Sequence, residues 1–274
     1  MKRIPANYHF IFGLKPQVEP FHVAWYLCLR SCIEINNPYR VYFHYHNEPF
    51  GPWWDRIKPE LELVHVEEES FIKETNAYQG NDEGRDIQRL KLEYAHQADF
   101  IRLRALQEYG GIYADIDTLF VRPYPQEFFN QHCVMGRETT EEESETLCNA
   151  LIFAEPGSQF IRRWLERMYD VFDGSWNRHS CIEPSRLSKE TPASIKVVDR
   201  EYFFHYPYTT EGLASLFGKV DIPGEKLCSI HMWSHLWWES DRNDFIRFHN
   251  GMLTEDFICK YDTTYNLIAR RYLD

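Results

Sequence analysis

The chain lacks paired cysteines. Its seven, Cys28, Cys32, Cys133, Cys148, Cys181, Cys228 and Cys259, are odd in number and scattered, with no Cys-x-x-Cys among them. That excludes a disulfide framework and a thiolate zinc site, and fits reduced thiols in a reducing compartment. Long hydrophobic runs are missing too: no segment approaches the ~20 uninterrupted apolar residues that span a bilayer. The opening MKRIPANYHFIFGLKPQVEP has a basic start, but its apolar run is cut short at Gly13 and Pro16, so it is neither a secretory signal nor a membrane anchor. The expectation is a cytoplasmic protein without an integral membrane segment. Positive charge is scarce, with 30 Lys plus Arg against 42 Asp plus Glu and a net charge of −12. This opposes general binding to nucleic acid or anionic membrane. An anionic ligand would need local help, from a cation or a few placed arginines. No internal repeat and no clean linker divide the chain.

What is present is apolar mass: 274 residues, 43% hydrophobic and 16% aromatic, enough for one large core with elaborations. Strand and helix patterns alternate along it. NYHFIF (7–12) reads as a strand, 21–36 as a helix closed by Asn37-Pro38, and RVYFHYH (40–46) and LELVHVE (61–67) as further strands, with 52–58 a turn of helix between them. Strand, helix, strand, helix, strand predicts an α/β fold with a mostly parallel sheet under covering helices. The polar, Gly-containing stretch 71–86 reads as a mobile loop. A long helix follows to Tyr109, with Gly110-Gly111 as its C-cap. Further on, CVMG and 147–154 read as strands, 158–172 as a helix, 195–206 as extended chain and EEESE (141–145) as a solvated loop.

GGIYADIDTLFVRP (110–123) sets Asp115 and Asp117 two residues apart on an otherwise apolar strand, where carboxylates are expensive to desolvate. Alternate side chains on one face, about 7 Å apart along the strand, can reach one divalent cation. Hard oxygen ligands without a thiolate favour Mg²⁺ or Mn²⁺ over zinc. In isolation Asp-x-Asp is equally a pair of surface acids. Asp99 and Arg102, three apart on the preceding helix, share one face, either as a plain ion pair or as part of a site. Other features read as structural: Cys28 and Cys32 face the core, and His44 and His46 pack or meet solvent. Trp53, Trp54, Trp176, Trp237 and Trp238 are core residues or an acceptor platform, with Trp237 or Trp238 nearest the site.

The block AHQADFIRLRALQEYGGIYADIDTLFVRP resembles the core motif of the DXD-containing glycosyltransferases, the sugar-binding-region group that includes initiating α-1,6-mannosyltransferases and bacterial capsular sugar transferases. It is more distantly similar to the glucosylating domains of clostridial toxins. The close match runs from Tyr94 to Pro123. The resemblance implies a GT-A (Rossmann-like) fold: a single domain with helical and loop additions, whose residues 1–123 form the nucleotide-sugar half and 124–274 the acceptor side and closing segment.

It implies that Asp99 and Arg102 hold the donor sugar, that Tyr113 lies beside it, that Asp115 contacts the ribose and the metal's water shell, and that Asp117 ligates Mn²⁺ or Mg²⁺. HFIFG is similar to the family's nucleotide-binding turn, which makes Phe12 and Gly13 donor contacts, with Phe12 where the family has Trp. SIHMWSHLWW is similar to its closing His-x-Trp stretch. There His231 is the metal-ligand candidate, His235 its alternative, and Trp237 and Trp238 are donor contacts. Asn149 either reaches a sugar or satisfies backbone groups in a turn. The implied reaction is transfer of a hexose or pentose from a nucleotide-sugar, UDP-linked by preference and GDP-linked otherwise, to a glycan, glycolipid or other saccharide, with retention. The enzyme would be of bacterial or viral type, in the cytoplasm or peripheral to a membrane. Two alternatives stand: a catalytically silent fold that binds carbohydrate or a partner, and a haloacid-dehalogenase-type phosphatase. The second expects Thr or Val two residues after the second Asp, where this chain has Leu119.

Overall fold

The computed structural model describes residues 2–74, 86–138, 146–222, 224–234 and 253–273, with backbone alone at 73–74 and 86–92. β1 (Asn7–Ile11) pairs in parallel with β2 (Arg40–Tyr45), and β2 with β3 (Glu62–His65). The first crossover is α1 (Val23–Asn36), whose opening turn is capped by the His22 ring accepting from the Ala24 amide at 3.1 Å. Asn37 closes it at φ 44, a left-handed conformation that Asn tolerates better than most residues. After α2 (Pro52–Ile57) and α3 (Ser70–Glu74), the 24-residue α4 (Asp86–Tyr109) leads into β4 (Gly111–Ala114). β4 returns to the other side of β1, pairing Ile112 with Tyr8 and Tyr113 with His9.

β6 (Cys133–Arg137), β7 (Leu147–Ala154) and β8 (Lys196–Val198) complete a seven-stranded sheet of order β3-β2-β1-β4-β7-β6-β8. Within it β7 alone runs against the others. A second, two-stranded sheet pairs β5 (Thr118–Phe120) with β9 (Ser229–His231). Helical additions follow at Glu183–Glu190, Thr210–Phe217, Glu255–Lys260 and Thr264–Ala269. Among the described residues no helix is long and apolar enough to cross a membrane.

Period-two alternation sends the strand side chains to two cores. Tyr8, Phe10, Ile112, Ala114 and Phe153 join α1 on one face, while Ile11, Tyr113, Ile152 and Ala154 join α4 and α5 (Gln159–Val171) on the other. Tyr113 therefore points at α4, the helix that carries Asp99 and Arg102. The double glycine makes this approach feasible. Gly110 (φ +61) and Gly111 (φ +119) both hold left-handed backbone, and a Cβ on Gly111 would come within 2.3 Å of the Asn7 carbonyl. The Gly110 amide closes α4 by donating to the Leu106 carbonyl at 2.9 Å, so the expected C-cap is present.

Several expectations are corrected. The strand read across 110–123 is broken: it ends at Ala114, turns through Asp115–Asp117 with the Thr118 amide donating to the Asp115 carbonyl at 3.0 Å, and restarts in the other sheet. Two like-charged side chains are thus accommodated in a turn at the sheet's edge instead of on one strand face. The loop expected over 71–86 begins as helix α3; residues 75–85 lie outside the described residues, as do 141–145. The extended chain expected over 195–206 is only the short β8, followed by a 3-10 turn at Arg200–Tyr202.

His44 packs, as expected, and does so against a buried partner. The His9 ring hydrogen-bonds the Gly110 carbonyl through Nε2 at 3.0 Å and His44 Nε2 through Nδ1 at 3.1 Å. A carbonyl only accepts, so His9 carries its proton on Nε2, and His44 Nε2–H donates to His9 Nδ1. Protonating His9 would set two donors face to face. Burial lowers the His9 pKa to about 4, and burial followed by its neighbour lowers that of His44 to about 3. Both lie below the unfolded value, so their contribution to stability is complete above pH ~6.5 and is lost as the pH falls towards 4. The unfolding free energy from urea titrations should therefore fall between pH 7 and 5, by up to about 1.4 kcal/mol per pH unit for each histidine. His44→Phe should flatten that profile, and an unchanged slope in the variant would count against the dyad.

Candidate active site

The chain order of the main sheet reverses between β1 and β4: β2 and β3 lie on one side of β1, β4 on the other. Ligands of open α/β sheets collect outside the carboxyl ends of the strands at such a reversal. Phe12 and Gly13 follow the end of β1, and Asp115 follows the end of β4. The Phe12 ring packs edge-on against Phe21 at 5.2 Å. Gly13 turns at φ +77, and its carbonyl accepts from the Asn47 amide at 2.7 Å.

Beside this point the turn after β4 gathers charge. Tyr113 O–H donates to Asp115 Oδ1 at 2.6 Å, and the same oxygen lies 3.4 Å from Arg102 Nη1. Arg102 lies over the Tyr113 ring, 4.5 Å from its centroid. Its guanidinium donates to the Asn149 carbonyl at 2.8 Å and pairs with Asp99 Oδ1 at 3.0 Å. Asn149, in β7 and not in a turn, donates its side-chain amide to that Asp99 oxygen at 2.7 Å. Asp99, Arg102 and Tyr113 are all buried. Burial opposes charge on Asp99, but Arg102 and then His179 hold its carboxyl below the ordinary carboxylate range. Burial likewise opposes charge on Arg102, yet its acidic neighbours keep it fully ionised.

Asp117 is positioned from the second sheet. β5 pairs antiparallel with β9, setting Thr118 opposite His231, and the Met232 amide donates to the Asp117 carbonyl at 3.0 Å. Trp233 then adopts φ 56, a strained conformation for a bulky residue. It is pinned by its indole N–H donating to the Tyr206 carbonyl at 2.8 Å, and its ring sits 4.2 Å from that of His231. The reversal aims the Ser234 amide at Asp117 Oδ2, 2.7 Å away. Asp117 Oδ1 and Asp115 Oδ2 converge on His231 Nε2, at 3.1 and 3.5 Å. Burial would keep His231 neutral, but Asp117 foremost raises its pKa; burial would raise that of Asp117, but His231 and the Ser234 amide lower it.

Of the residues expected from sequence, Asp99, Arg102, Tyr113, Asp115 and Asn149 form one hydrogen-bonded network, and Asp117 and His231 join it through Asp115. Phe12 and Gly13 sit at the end of the neighbouring strand. Trp237, Trp238 and His235 lie outside the described residues. Trp54 is core, and Trp176 is exposed. Trp233, the Trp of the His-x-Trp stretch, acts through its backbone turn. His179 carried no sequence signal, and it meets Asp99 Oδ2 at 2.8 Å from 80 residues away.

Arg102 compensates two carboxylates at once, so Arg102→Leu should cost about 3–5 kcal/mol by leaving buried charge unpaired. Urea unfolding near neutral pH tests this. A loss below about 1 kcal/mol, the scale of an exposed pair, would mean that the carboxylates are solvated instead.

Residues 24–135 match the family described as "Glycosyltransferase sugar-binding region containing DXD motif". The chain is 34% identical over 215 residues to Glucan organizing enzyme 1 of Cryptococcus neoformans, covering 73% of this chain and 54% of that protein. It is 32% identical over 136 residues to Subversion of eukaryotic traffic protein A of Legionella pneumophila, covering 46% of this chain and 21% of that one. The chain thus spans about half the length of the first relative and about a fifth of the second. Among solved structures, the apo-form glycosyltransferase GlyE of Streptococcus pneumoniae superposes with a TM-score of 0.50 at 12% identity, covering 99% of this chain and 63% of that one, a likeness of fold. Residues 24–135 thus carry the sequence pattern of the DXD-motif glycosyltransferase sugar-binding region, on a fold like that of a solved glycosyltransferase.

Proposed function

We propose that the protein is a metal-dependent glycosyltransferase that moves a sugar from a nucleotide-sugar, UDP-linked by preference, to a saccharide acceptor with retention of configuration. The observation that carries this reading is the convergence of Asp115, Asp117 and His231, whose candidate ligand atoms all lie within 4.8 Å of one another. The donor set suits a divalent cation. Two carboxylates aim at a single imidazole nitrogen, and that nitrogen's proton occupies the position a cation would take. With no thiolate in the set, Mn²⁺ or Mg²⁺ is the fitting ion. When bound, such a cation supplies positive charge against the diphosphate leaving group.

The chain's own residues account for the remainder. Tyr113 and Arg102 engage one oxygen of Asp115, which leaves the other turned towards His231. The Ser234 amide fixes Asp117 in the same way. Asp99, held by Arg102, Asn149 and His179, is a preorganised acceptor for sugar hydroxyls, and Phe12 and Gly13 flank the reversal point where the nucleotide would lie. Fixed dipoles and charges of this kind need no rearrangement as charge develops on the leaving group. The name of the Cryptococcus relative, a glucan organizing enzyme, agrees with a saccharide acceptor. For a retaining transfer without a second carboxylate nucleophile, the acceptor hydroxyl attacks on the leaving-group face and its proton passes to the departing diphosphate.

Thermal shift with UDP, GDP, CMP and dTDP, each with Mn²⁺, Mg²⁺ or EDTA, tests the reading. One nucleotide should stabilise the fold only with metal, by about 2.7 kcal/mol at a hundred times its dissociation constant. Asp117→Ala should abolish that shift. Stabilisation that persisted undiminished in the variant, or in EDTA, would remove the metal role. Absence of any shift with nucleotide or nucleotide-sugar would favour a silent carbohydrate-binding module. Where transfer is observed, an inverted anomeric configuration in the product by NMR would exclude retention.

A further inference from the structure

His179 lies outside the Asp-x-Asp turn and the helix that faces it, yet it is as closely held as any residue in the site. We propose that His179 is the positioning residue that sets the Asp99 carboxylate to read the hydroxyls of the donor sugar, an inference that rests on the glycosyltransferase reading above. Asp99 carries three donors. Arg102 Nη2 and the Asn149 amide approach Oδ1 at 3.0 and 2.7 Å, and His179 Nε2 approaches Oδ2 at 2.8 Å. A carboxylate accepts only, so His179 carries its proton on Nε2. Among the described residues His179 is the hydrogen-bond partner of Oδ2, so the imidazole fixes the end of the carboxylate that Arg102 and Asn149 do not hold.

The structure accepts costs to keep an imidazole here. His179 is fully buried, and its Nδ1 has no hydrogen-bond partner among the described residues. An orphaned buried acceptor is unfavourable. Rings surround it: His96 meets it edge-on at 4.8 Å, Phe172 edge-on at 4.9 Å, and Phe100 stacks on it at 6.2 Å. A phenylalanine would fill this space without the unpaired Nδ1, but it would leave the buried Asp99 Oδ2 without its donor. The backbone is irregular as well. Residues Arg178–Ile182 form a π-helical turn in which the Asn177 carbonyl accepts from both Cys181 and Ile182, and the His179 carbonyl is held by the Trp164 indole at 2.8 Å. Widened turns of this kind commonly redirect a side chain at functional sites. What the unpaired nitrogen and the π turn gain is the bond from His179 to Asp99 Oδ2.

The test is calorimetric titration, with Mn²⁺ present, of UDP-glucose, UDP-galactose and GDP-mannose, and of UDP and GDP alone, into wild type, His179→Phe and His179→Gln. Gln presents an N–H donor at about the reach of Nε2. The expected result is that the nucleotide-sugar bound by wild type loses roughly 10- to 100-fold in affinity in His179→Phe, recovers in His179→Gln, and that the sugar-free nucleotide keeps its affinity throughout. Equal loss of both ligands, or loss of neither, would overturn the proposal and leave the glycosyltransferase reading standing. If wild type bound no nucleotide and no nucleotide-sugar, that reading would fall, and this one with it. Should His179→Phe fail to fold, the wild-type imidazole proton, assigned by its absence from His179→Gln, gives the answer by NMR. It should move on addition of the nucleotide-sugar and not of the nucleotide, and a resonance that responds to neither sugar nor metal-bound donor contradicts the assignment.

Discussion

Three carboxylates crowd the carboxyl edge of the central strands, and the arrangement around them depends on where their charge is compensated. Asp99 and Asp115 share Arg102, while Asp115 and Asp117 share His231. Arg102 is buried and stacked on Tyr113, so its charge is little screened by solvent and its geometry is fixed by the ring beneath it. In a chain of net charge −12, no diffuse positive field exists to attract an anionic donor. Arg102, together with either the His231 proton or the ion that would replace it in the cluster, is what makes such a ligand physically admissible.

That compensation requires two sheets. The main sheet ends β4 at the topological reversal and turns Tyr113 towards α4, where Arg102 waits; the second sheet brings β9 to β5 and with it His231. The turn between β4 and β5 belongs to neither ladder, which leaves both carboxylates free to face one imidazole. Trp233 bends the chain just beyond β9 at the expense of a left-handed backbone, and the amide of Ser234 reaches Asp117 as the result. Strain, ladder pairing and ion pairing thus act on the same few atoms.

The features of the site that could be read from sequence were those with a local physical signature. Gly110-Gly111 after a long helix marks a left-handed cap followed by a close strand approach, and both glycines hold positive φ. Asp99 and Arg102, three apart on one helix face, do form the ion pair that their spacing suggests. The Asp-x-Asp pair was read as one strand because its neighbours are apolar and β-branched. The break at Ala114 depends on which sheet each flank joins, and that is a long-range matter.

Alternation, helix periodicity and the Asp-x-Asp block were enough, by themselves, to determine an α/β sheet, the helix that faces the site, and a pair of acids beside it, because these follow from contacts between residues close in the chain. The His-x-Trp stretch pointed to His231, with His235 as its alternative, but tertiary structure decided that its ring would meet both carboxylates, that Asn149 would bind Asp99 and that His179 would lock it from 80 residues away. Those partners are brought together by the antiparallel β7, the β5–β9 pairing and a π-helical turn. A side chain's partner across such distances is fixed by where the core packs the backbone, and no local pattern of residues encodes it.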